Sequence, residues 1–411
     1  MSNRNSADQA LVRELNLSLV LHYIHNEAPV SRAQIAQATG LNKSTVSSLV
    51  EDLLGRKLVH ETGTNSVGTG RPATLLEINP QAGGIIGAEV GVDFVALALT
   101  DFTGNILWRQ VENVYSAETQ ETTLAKILSL TDRAIEVCKA HNLYLLGLGL
   151  SVPGTVDLER GILVFAPNLQ WRNVPLRKIF AERTGLNVFV ENDANAAAIA
   201  EHLFGTARHS EDFIFVVAGI GIGSGLFLNG ELYRGRDGFA GEIGHTPIVA
   251  EPYQTLCHCG NRGCWETYAN QHSLIQRVQT RLDDNRESVI PSLLIEQKTP
   301  LSISIVKQAA DQGDDVALEA LAEIGTALGL GFASLIDIFN PEKIILGGTL
   351  STAGNYLLPS IKSTSEKHSL LSVNPKTAIL LSEFATDAIL IGAISIVVDD
   401  ILSSPTHVER R

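Results

Sequence analysis

One stretch of 26 residues constrains this chain more than any other. It runs from Gly241 to Glu266 and reads GEIGHTPIVAEPYQTLCHCGNRGCWE. It contains three of the chain's four cysteines, Cys257, Cys259 and Cys264, and His245 lies upstream of them in the same stretch. Three thiolates and one imidazole at short spacing suit tetrahedral Zn²⁺, and four protein ligands close the coordination shell, as in structural sites. The pattern therefore predicts a structural zinc site.

Disulfides or free thiols are the alternative interpretation of the same cysteines. Cys257 and Cys259 are one residue apart, which disfavours a bond between them, whereas other pairings stay open in an exported protein. The first residues, MSNRNSADQALVREL, carry no targeting pattern, and no apolar run reaches the length of a membrane span. We therefore expect a soluble cytoplasmic protein with no membrane partner, in which these cysteines bind metal.

Two carboxylates flank the cysteine-rich stretch. Glu242 lies three residues before His245, and Glu266 lies two residues after Cys264. A metal held between two carboxylates would fix the shape of a pocket whose acceptors suit a polyhydroxylated ligand. This arrangement indicates a small-molecule site beside the metal.

The charge is distributed unevenly along the 411 residues, which are enough for two or three domains. The net charge is −14, but residues 1–80 hold seven basic and seven acidic side chains, so the whole excess lies after residue 80. The basic side chains of this neutral head cluster in one forty-residue window: Arg32, Lys43, Arg56, Lys57 and Arg71. A neutral head with clustered basic groups is compatible with DNA binding.

The head has the pattern of a helix-turn-helix. Apolar residues at helical spacing predict a first helix over 7–26, Ser31 is a good N-cap for a second, and Asn42 or Lys43 begins a third. Gly40 supplies the turn between the last two helices. The start of the third helix offers short polar side chains for phosphates and base edges: Asn42, Lys43, Ser44, Thr45 and Ser47. A three-helix protein-interaction module is the alternative.

Two strands joined by a loop follow the third helix, which is the pattern of a wing. Arg71 lies in Gly70-Arg71-Pro72 at the base of that loop. An arginine on such a turn can enter a narrow minor groove. A solvated loop arginine is the alternative interpretation.

The body, residues 81–411, alternates strands and helices twice in a similar style. The tripeptide Glu191-Asn192-Asp193 falls at a strand-to-helix junction, where polar groups line clefts of α/β folds. We therefore expect two similar α/β lobes with a cleft between them. The last helix is expected to pack back on the first lobe, and the tail SSPTHVERR is expected to be loose.

Several motifs together resemble the ROK family of repressors, open reading frames and sugar kinases. They are VPG at 152–154, END at 191–193, GIGIGSG at 219–225, GEIGH at 241–245, CHCGNRGCWE at 257–266 and LGG at 346–348. With its winged helix-turn-helix head, the chain is most similar to the xylose repressors of that family. The resemblance implies an α/β fold in which this head precedes a two-lobed body like that of actin and hexokinase, with a sugar held between the lobes.

The resemblance also implies roles for individual residues. Asn192 and Asp193 would bind sugar hydroxyls, as would Glu242, His245 and Glu266, and Gly154 and Asn168 would line the same pocket. Buried hydroxyls left unpaired cost about 1–3 kcal/mol each, so a sugar site needs many such groups. One nitrogen of His245 would face the sugar while the other meets zinc.

Asp193 matches the catalytic base of the family's kinases, so phosphoryl transfer is the rival function. Those kinases begin with Asp-x-Gly-Gly-Thr, where this chain has Glu89-Val90-Gly91-Val92-Asp93. A valine adds bulk where backbone must approach phosphate, and a carboxylate repels it. We therefore interpret Asp193 as a vestigial base and expect no catalytic residues.

The resulting hypothesis is a sugar-responsive repressor, with xylose as inducer and a glucose-type sensor or a ROK sugar kinase as alternatives. Its expected partners are operator DNA, a sugar and further copies of the chain in a homodimer or tetramer. The expected domains are a DNA-binding head over 1–80, a first lobe over 81–200 joined by the helix over 386–403, and a second lobe over 201–385 with the zinc site and a dimerisation surface. Sugar binding would close the lobes and change the spacing of the heads.

Overall fold

The computed structural model describes residues 2–65, 73–115, 117–249, 254–370 and 377–410. Contact density divides the chain into two units. The first contains residues 1–151, 175–190 and 393–411, and the second contains residues 152–174 and 191–392. Each unit has helices and sheets of its own.

Helices make up most of the regular structure. The α-helices are α1 (Ser2–Glu27), α2 (Arg32–Thr39), α3 (Lys43–Gly55), α4 (Gln120–Ala140), α5 (Leu176–Thr184), α6 (Asp193–Phe204), α7 (Glu266–Ala269), α8 (Gln271–Asp283), α9 (Ile290–Gln297), α10 (Ile303–Asp311), α11 (Asp315–Phe339), α12 (Gly354–His368) and α13 (Ala388–Ser403).

The strands form four sheets. They are β1 (Val30–Ser31), β2 (Val59–Asn65), β3 (Ala73–Ile78), β4 (Gly84–Val90), β5 (Phe94–Asp101), β6 (Ile106–Asn113), β7 (Leu145–Val152), β8 (Thr155–Asp157), β9 (Ile162–Ala166), β10 (Trp171–Val174), β11 (Val188–Asn192), β12 (Phe213–Ala218), β13 (Ile222–Leu228), β14 (Glu231–Leu232), β15 (Lys343–Gly347) and β16 (Ala378–Leu381).

The head is a winged helix-turn-helix, as predicted. Ser31 caps α2 in a capping box with Gln34, and Gly40 ends that helix in the left-handed conformation, with φ 73°. Asn42 caps α3 by accepting a hydrogen bond from the backbone N–H of Thr45. Strands β2 and β3 pair antiparallel as the wing, and β1 adds to the same sheet. The caps read from the sequence therefore place both helices of the motif.

A buried carboxylate on α3 anchors the C-terminal tail to the head. Asp52, whose side chain is 4% exposed, accepts hydrogen bonds from Arg13 at 2.5 Å, from Arg56 at 3.0 Å and from Arg410 at 2.9 Å. Burial opposes ionisation, but the bonds from Arg13 and Arg410 and the charge of Arg56 hold the pKa of Asp52 below its ordinary value. Asp52 is therefore ionised and is the common acceptor for these three arginines.

The tail backbone is bound as well. Arg56 Nη1 donates to the carbonyl oxygens of Thr406, at 3.3 Å, and Val408, while the N–H of Thr406 donates to Glu14 at 3.3 Å. The Val408 side chain is buried. The prediction of a loose tail is therefore wrong, because side chains distant in sequence form hydrogen bonds with its backbone groups.

The rest of the first unit is built on a five-stranded sheet in the order β11-β7-β4-β5-β6. Every residue of β4 is buried, and α4 packs on β5. On β7, a Cβ at Gly149 would lie 1.7 Å from the carbonyl oxygen of Ala393 on α13. Glycine is required there because the helix backbone lies directly on the strand.

The second unit has its own five-stranded sheet in the order β14-β13-β12-β15-β16, and a small sheet in the order β10-β9-β8. The hairpin of β12 and β13 is antiparallel, and β15 and β16 run parallel to β12. A Cβ at Gly225 on β13 would lie 2.4 Å from the methyl group of Ala198. Small residues therefore bring α6 close to the strand.

The long helix α11 lies at the centre of the second unit's core and packs on α12 and α8. It is the one helix among the described residues that is apolar and long enough to span a membrane. More than half of its most apolar stretch is buried within the fold, and core helices commonly have the same composition. Its hydropathy is accounted for by core packing.

Candidate functional site

The predicted metal ligands come together in the second unit. The ligand atoms of His245, Cys257, Cys259 and Cys264 all lie within 4.8 Å of one another. Cys259 Sγ is 3.7 Å from Cys264 Sγ, and Cys257 Sγ is 3.7 Å from His245 Nδ1. We call these four residues the thiol–imidazole cluster.

The loops that carry the cluster are short and held by backbone pairing. Isolated bridges join Pro247 to Cys264 and Leu256 to Arg262. The N–H of Cys257 donates to the carbonyl of Asn261 at 2.8 Å, and Gly260 supplies a turn with φ 94°. The thiols of Cys257, Cys259 and Cys264 therefore converge on one place.

The spacing of the cluster fits a tetrahedral metal. A Zn–S bond of about 2.3 Å sets the sulfur–sulfur edge of a tetrahedron at roughly 3.8 Å. The observed separation of Cys259 and Cys264 is 3.7 Å. Burial, with Glu266 close by, raises the pKa of the Cys257 thiol, and burial raises that of Cys264. A bound cation would supply the charge that such thiols need to ionise.

Trp265 fixes the cluster to the core, a role that the sequence reading missed. Its indole N–H donates to the carbonyl oxygen of Ala327 on α11 at 2.8 Å, and its ring leaves no room for a side chain at Gly331. Trp265 is buried and lies between Cys264 and Glu266. One anchored side chain therefore positions a metal ligand and a candidate sugar ligand together.

Glu266 joins the cluster to the neighbouring polar site. Its Oε1 accepts a hydrogen bond from Cys257 Sγ at 2.9 Å and lies 3.4 Å from His245 Nδ1. The other ring nitrogen, His245 Nε2, lies 3.9 Å from Glu242. The Nδ1 atom therefore faces the thiols, while Nε2 faces the polar side.

Asn192 is used by the fold itself. Its side-chain oxygen accepts from the N–H groups of Ala194 and Asn195 and so caps α6. Its amide donates to the carbonyl oxygen of Gly154 at 3.0 Å. Gly154 has φ 102°, and a Cβ there would collide with the carbonyl of Phe165. These bonds hold the VPG turn against the start of α6.

Asp193, the first residue of α6, lies beside Glu242. Burial and the charge of Glu242 raise the pKa of Asp193 to about 6, against the opposing bond from the Ala194 N–H. Burial and the charge of Glu266 raise the pKa of Glu242, although His245 lowers it. We call Asp193, Glu242 and Glu266 the carboxylate cluster. Among the described residues none of the three forms an ion pair with lysine or arginine.

A second interaction missed by the sequence reading is the ion pair of Glu191 with Arg234. Both Nε and Nη2 of Arg234 donate to Glu191 Oε2, at 3.1 and 2.8 Å, and Glu191 is buried. Glu191 Oε1 accepts from the N–H of Asn192. This pair ties the loop that leads to Glu242 to the END turn. The signal available in the sequence was a carboxylate in END with no assigned role.

Asn168 is exposed on the turn after β9 and belongs to the second unit with the other predicted sugar residues. All seven of them, Gly154, Asn168, Asn192, Asp193, Glu242, His245 and Glu266, thus fall in one unit. The structure brings together Gly154 with Asn192 and the carboxylate cluster with His245.

The predicted DNA-contacting residues lie at the start of α3. Lys43 and Ser44 are exposed, while Thr45 and Ser47 are half-buried. The oxygen of Asn42 is occupied by the cap and by Ser44 Oγ. Ser48, which the sequence reading passed over, is also exposed.

Two predicted arginines are placed differently. Arg32, at the start of α2, donates to Glu61 on β2 at 3.0 Å. Arg71 lies outside the described residues. Of the predicted residues that the structure describes, those at the start of α3 include exposed polar side chains, whereas Arg32 is half-buried in its ion pair.

Comparisons with known proteins agree with this architecture. Residues 85–400 match the ROK family, and residues 18–68 match the MarR family. The xylose repressor of Bacillus subtilis is 35% identical over 400 residues, which cover 97% of this chain and 99% of that protein.

Two solved structures are similar. One is a ROK family transcriptional regulator described as a homologue of the E. coli MLC protein, with a TM-score of 0.82, 28% identity and coverage of 97% of this chain and 99% of that one. The other is a ROK family glucokinase from Streptomyces griseus in complex with glucose and AMPPNP, with a TM-score of 0.68, 32% identity and coverage of 76% and 99%. The full-length match is thus to a regulator, and the kinase matches a shorter part.

Proposed function

The chain belongs to the ROK family, and from this premise we propose that it is a cytoplasmic transcriptional repressor of carbohydrate-utilisation genes. Residues 1–80 bind operator DNA, and a sugar that binds the second unit acts as inducer. Xylose is the expected sugar, because the similar full-length proteins include a xylose repressor. Two copies of the chain, or four, present their heads to a palindromic operator.

The carboxylate cluster is the observation that carries this proposal. Glu242 and Glu266 lie beside His245, Asp193 lies beside Glu242, and none of the three pairs with lysine or arginine among the described residues. A polyhydroxylated ligand supplies the missing donors, since each hydroxyl gives one hydrogen bond to a carboxylate. Gly154 and Asn168 line the same pocket, and Asn192 positions the turn.

We assign structural Zn²⁺ to the thiol–imidazole cluster. The ion would hold the loops that carry Glu242, His245 and Glu266, and it would take no part in chemistry. His245 Nδ1 faces the thiols, which leaves Nε2 for the sugar. The sugar releases DNA only if it binds the DNA-free state more tightly than the DNA-bound state.

A ROK sugar kinase with a regulatory head is the second candidate, and one observation favours it. The pKa of Asp193 of about 6 suits a general base. The turn after β4 argues against phosphoryl transfer. A Cβ at Gly91 would lie 2.5 Å from the ring of Phe94, and Asp93 is exposed on the same turn. Val92 and Asp93 stand where the kinases present glycine and a hydroxyl, and the ring of Phe94 packs against Gly91.

Calorimetric titration with D-xylose and D-glucose, with and without ATP, tests the function. We expect heat from xylose with no ADP release in a coupled assay, and loss of that heat in Glu242→Gln. Ile106→Gln, an exposed change in the first unit, serves as control. ADP release at a kinase-like rate would show that the repressor assignment is wrong, and heat from glucose alone would make the protein a glucose-type sensor.

Metal content tests the zinc assignment. We expect one zinc ion per chain. Cys259→Ser should lose the ion and bind the sugar at least about tenfold more weakly, because residues that position the groups of a site commonly contribute that much. Cys259 is exposed, so its loss disturbs packing least. Cys138→Ser, outside the cluster, should keep both. Full sugar affinity in a metal-free Cys259→Ser protein would contradict the positioning role.

A further inference from the structure

The first helix has two apolar faces. At about 100° per residue, its buried side chains share one face and its exposed aliphatic side chains share the opposite one. The buried set is Leu17, Val20, Leu21 and Ile24, each 0% exposed. The exposed set is Leu11 at 60%, Val12 at 56%, Leu15 at 60% and Leu19 at 44%. We call the exposed set the leucine stripe. It spans about 100° of the helix surface, the width of a core-facing stripe.

The N-terminal half of α1 receives little support from its own chain. No side chain from Gln9 to Asn16 is buried. Two polar contacts, from Arg13 to Asp52 and from Thr406 to Glu14, lie on other faces of the helix. A short helix is marginal in water without tertiary packing, and exposing four aliphatic side chains adds an unfavourable hydration term. A surface of this kind is typical of an interaction site.

We propose that the leucine stripe is the contact between the heads of two copies of this chain bound at one operator. This inference rests on the proposed repressor function. The three leucines of the stripe, Leu11, Leu15 and Leu19, are symmetric about Leu15. When two α1 helices cross antiparallel at that residue, Leu15 meets Leu15, and Leu11 of one copy meets Leu19 of the other. Such self-complementarity is what a two-fold contact between identical chains requires.

The charges near the stripe permit this pairing. Its flanking positions, Asn16 and Ser18, are uncharged, and Arg13 and Glu14 point to other faces. Within residues 9–19, pairing therefore buries no ionised group and sets no like charges together. A basic or acidic partner would find no complement here.

The size of the stripe favours a second copy over a freely diffusing partner. Its four side chains expose roughly 400 Å², about half of the ~800 Å² per partner that a stable complex buries. Two chains already held on neighbouring half-sites meet at high effective concentration, so a small contact is enough to couple them. The stripe would therefore act as a cooperativity contact, which strengthens binding to paired half-sites.

Binding of the full chain to two matched duplexes tests the proposal. A duplex selected by the protein from a random pool provides the two-element site, and scrambling one half provides the one-element site. Leu15→Gln should weaken binding to the two-element duplex by about tenfold or more while changing one-element binding less than about twofold. Leu11→Gln should act in the same way, and Leu15→Met should restore cooperativity. Ile106→Gln replaces an equally apolar, 47% exposed residue on β6 and should change neither.

Oxidative cross-linking gives a readout that is independent of affinity. Leu15→Cys should form a disulfide-linked dimer on the two-element duplex, whereas Ile106→Cys should not. Unchanged cooperativity in Leu15→Gln, or an equal loss on both duplexes, would overturn the proposal. A wild-type chain that selects no duplex would contradict the repressor function instead. Cross-linking of the free Leu15→Cys chain would then decide whether the stripe self-associates, and its absence would overturn the contact.

Discussion

Two carboxylates in this protein, Asp52 and Asp193, have opposite surroundings. Asp52 on α3 is in contact with three guanidinium groups, and its pKa lies below the ordinary value. Asp193, at the start of α6, has Glu242 beside it, and its pKa rises to about 6. Folding therefore favours the ionised form of the first carboxylate and the protonated form of the second.

This difference distinguishes Asp52, whose charge holds the fold together, from the carboxylate cluster, to which we assign a binding role. The cations around Asp52 come from α1, from α3 and from the tail, so the ionised group holds three segments together. The carboxylate cluster has no such arginine partners among the described residues, and its few hydrogen bonds and His245 offset its desolvation only in part. The proposed sugar-binding role would account for carboxylates that lower the stability of the second unit.

The largest expected effect comes from removing the structural charge. Asp52→Asn should lower the free energy of unfolding of the head by about 2–4 kcal/mol at pH 7, because three arginines lose their common acceptor. Since the folded pKa of Asp52 is depressed, its contribution exists above the unfolded pKa of 3.8 and is lost as pH falls through the folded value. The difference from wild type in thermal unfolding should therefore shrink below about pH 4. A variant as stable as wild type at pH 7 would refute the structural role.

The same substitution in the carboxylate cluster should have the opposite sign. Asp193→Asn should stabilise the sugar-free protein at pH 7 by about 1–3 kcal/mol, because it removes a charge that folding desolvates. The folded pKa of about 6 exceeds the unfolded 3.8, so the gain should grow between these values and vanish below pH 4. Sugar titration of the same protein should show weaker binding. A destabilised Asp193→Asn protein at pH 7 would remove the contrast between the two groups.

The smallest expected effect concerns the tail. Arg410 is 62% exposed, so its ion pair with Asp52 is screened by water. Arg410→Gln should cost less than about 1 kcal/mol, since Arg13 and Arg56 remain. Amide hydrogen exchange of α3 in Arg410→Gln measures this cost. The control is Arg183→Gln, which breaks an exposed ion pair elsewhere in the first unit. A loss as large as that of Asp52→Asn would mean that the tail, rather than the carboxylate, organises the head.

Local patterns in the sequence predicted what local forces determine. Ser31 and Asn42 mark helix starts because a cap acts within three residues, and the observed caps agree. The thiol–imidazole cluster was predicted in the same way, because its four ligands fall within twenty residues. The first helix extends beyond the predicted range of 7–26 to Ser2–Glu27, where apolar periodicity gave no signal.

Interactions between distant segments could not be read in this way. Nothing near Asp52 in the sequence indicates Arg410, and nothing near Glu191 indicates Arg234. A charged residue has many partners of opposite sign available, and only the packed fold selects one. The exposed face of α1 was missed because Leu11, Leu15 and Leu19 fit the helical pattern of a buried face.

The contact between Asp52 and Arg410 joins residues 358 positions apart. A ribosome makes Asp52 before Arg410, so Asp52 lacks this cation while the intervening residues are synthesised. Synthesis proceeds at about 5–20 residues per second, and domains commonly fold as they emerge from the ribosome. Roughly half a minute therefore separates the synthesis of Asp52 from that of Arg410. The DNA-binding head of a nascent chain therefore lacks the ion pair between Asp52 and Arg410 until the second unit has been made. DNA binding and sugar response would thus mature together.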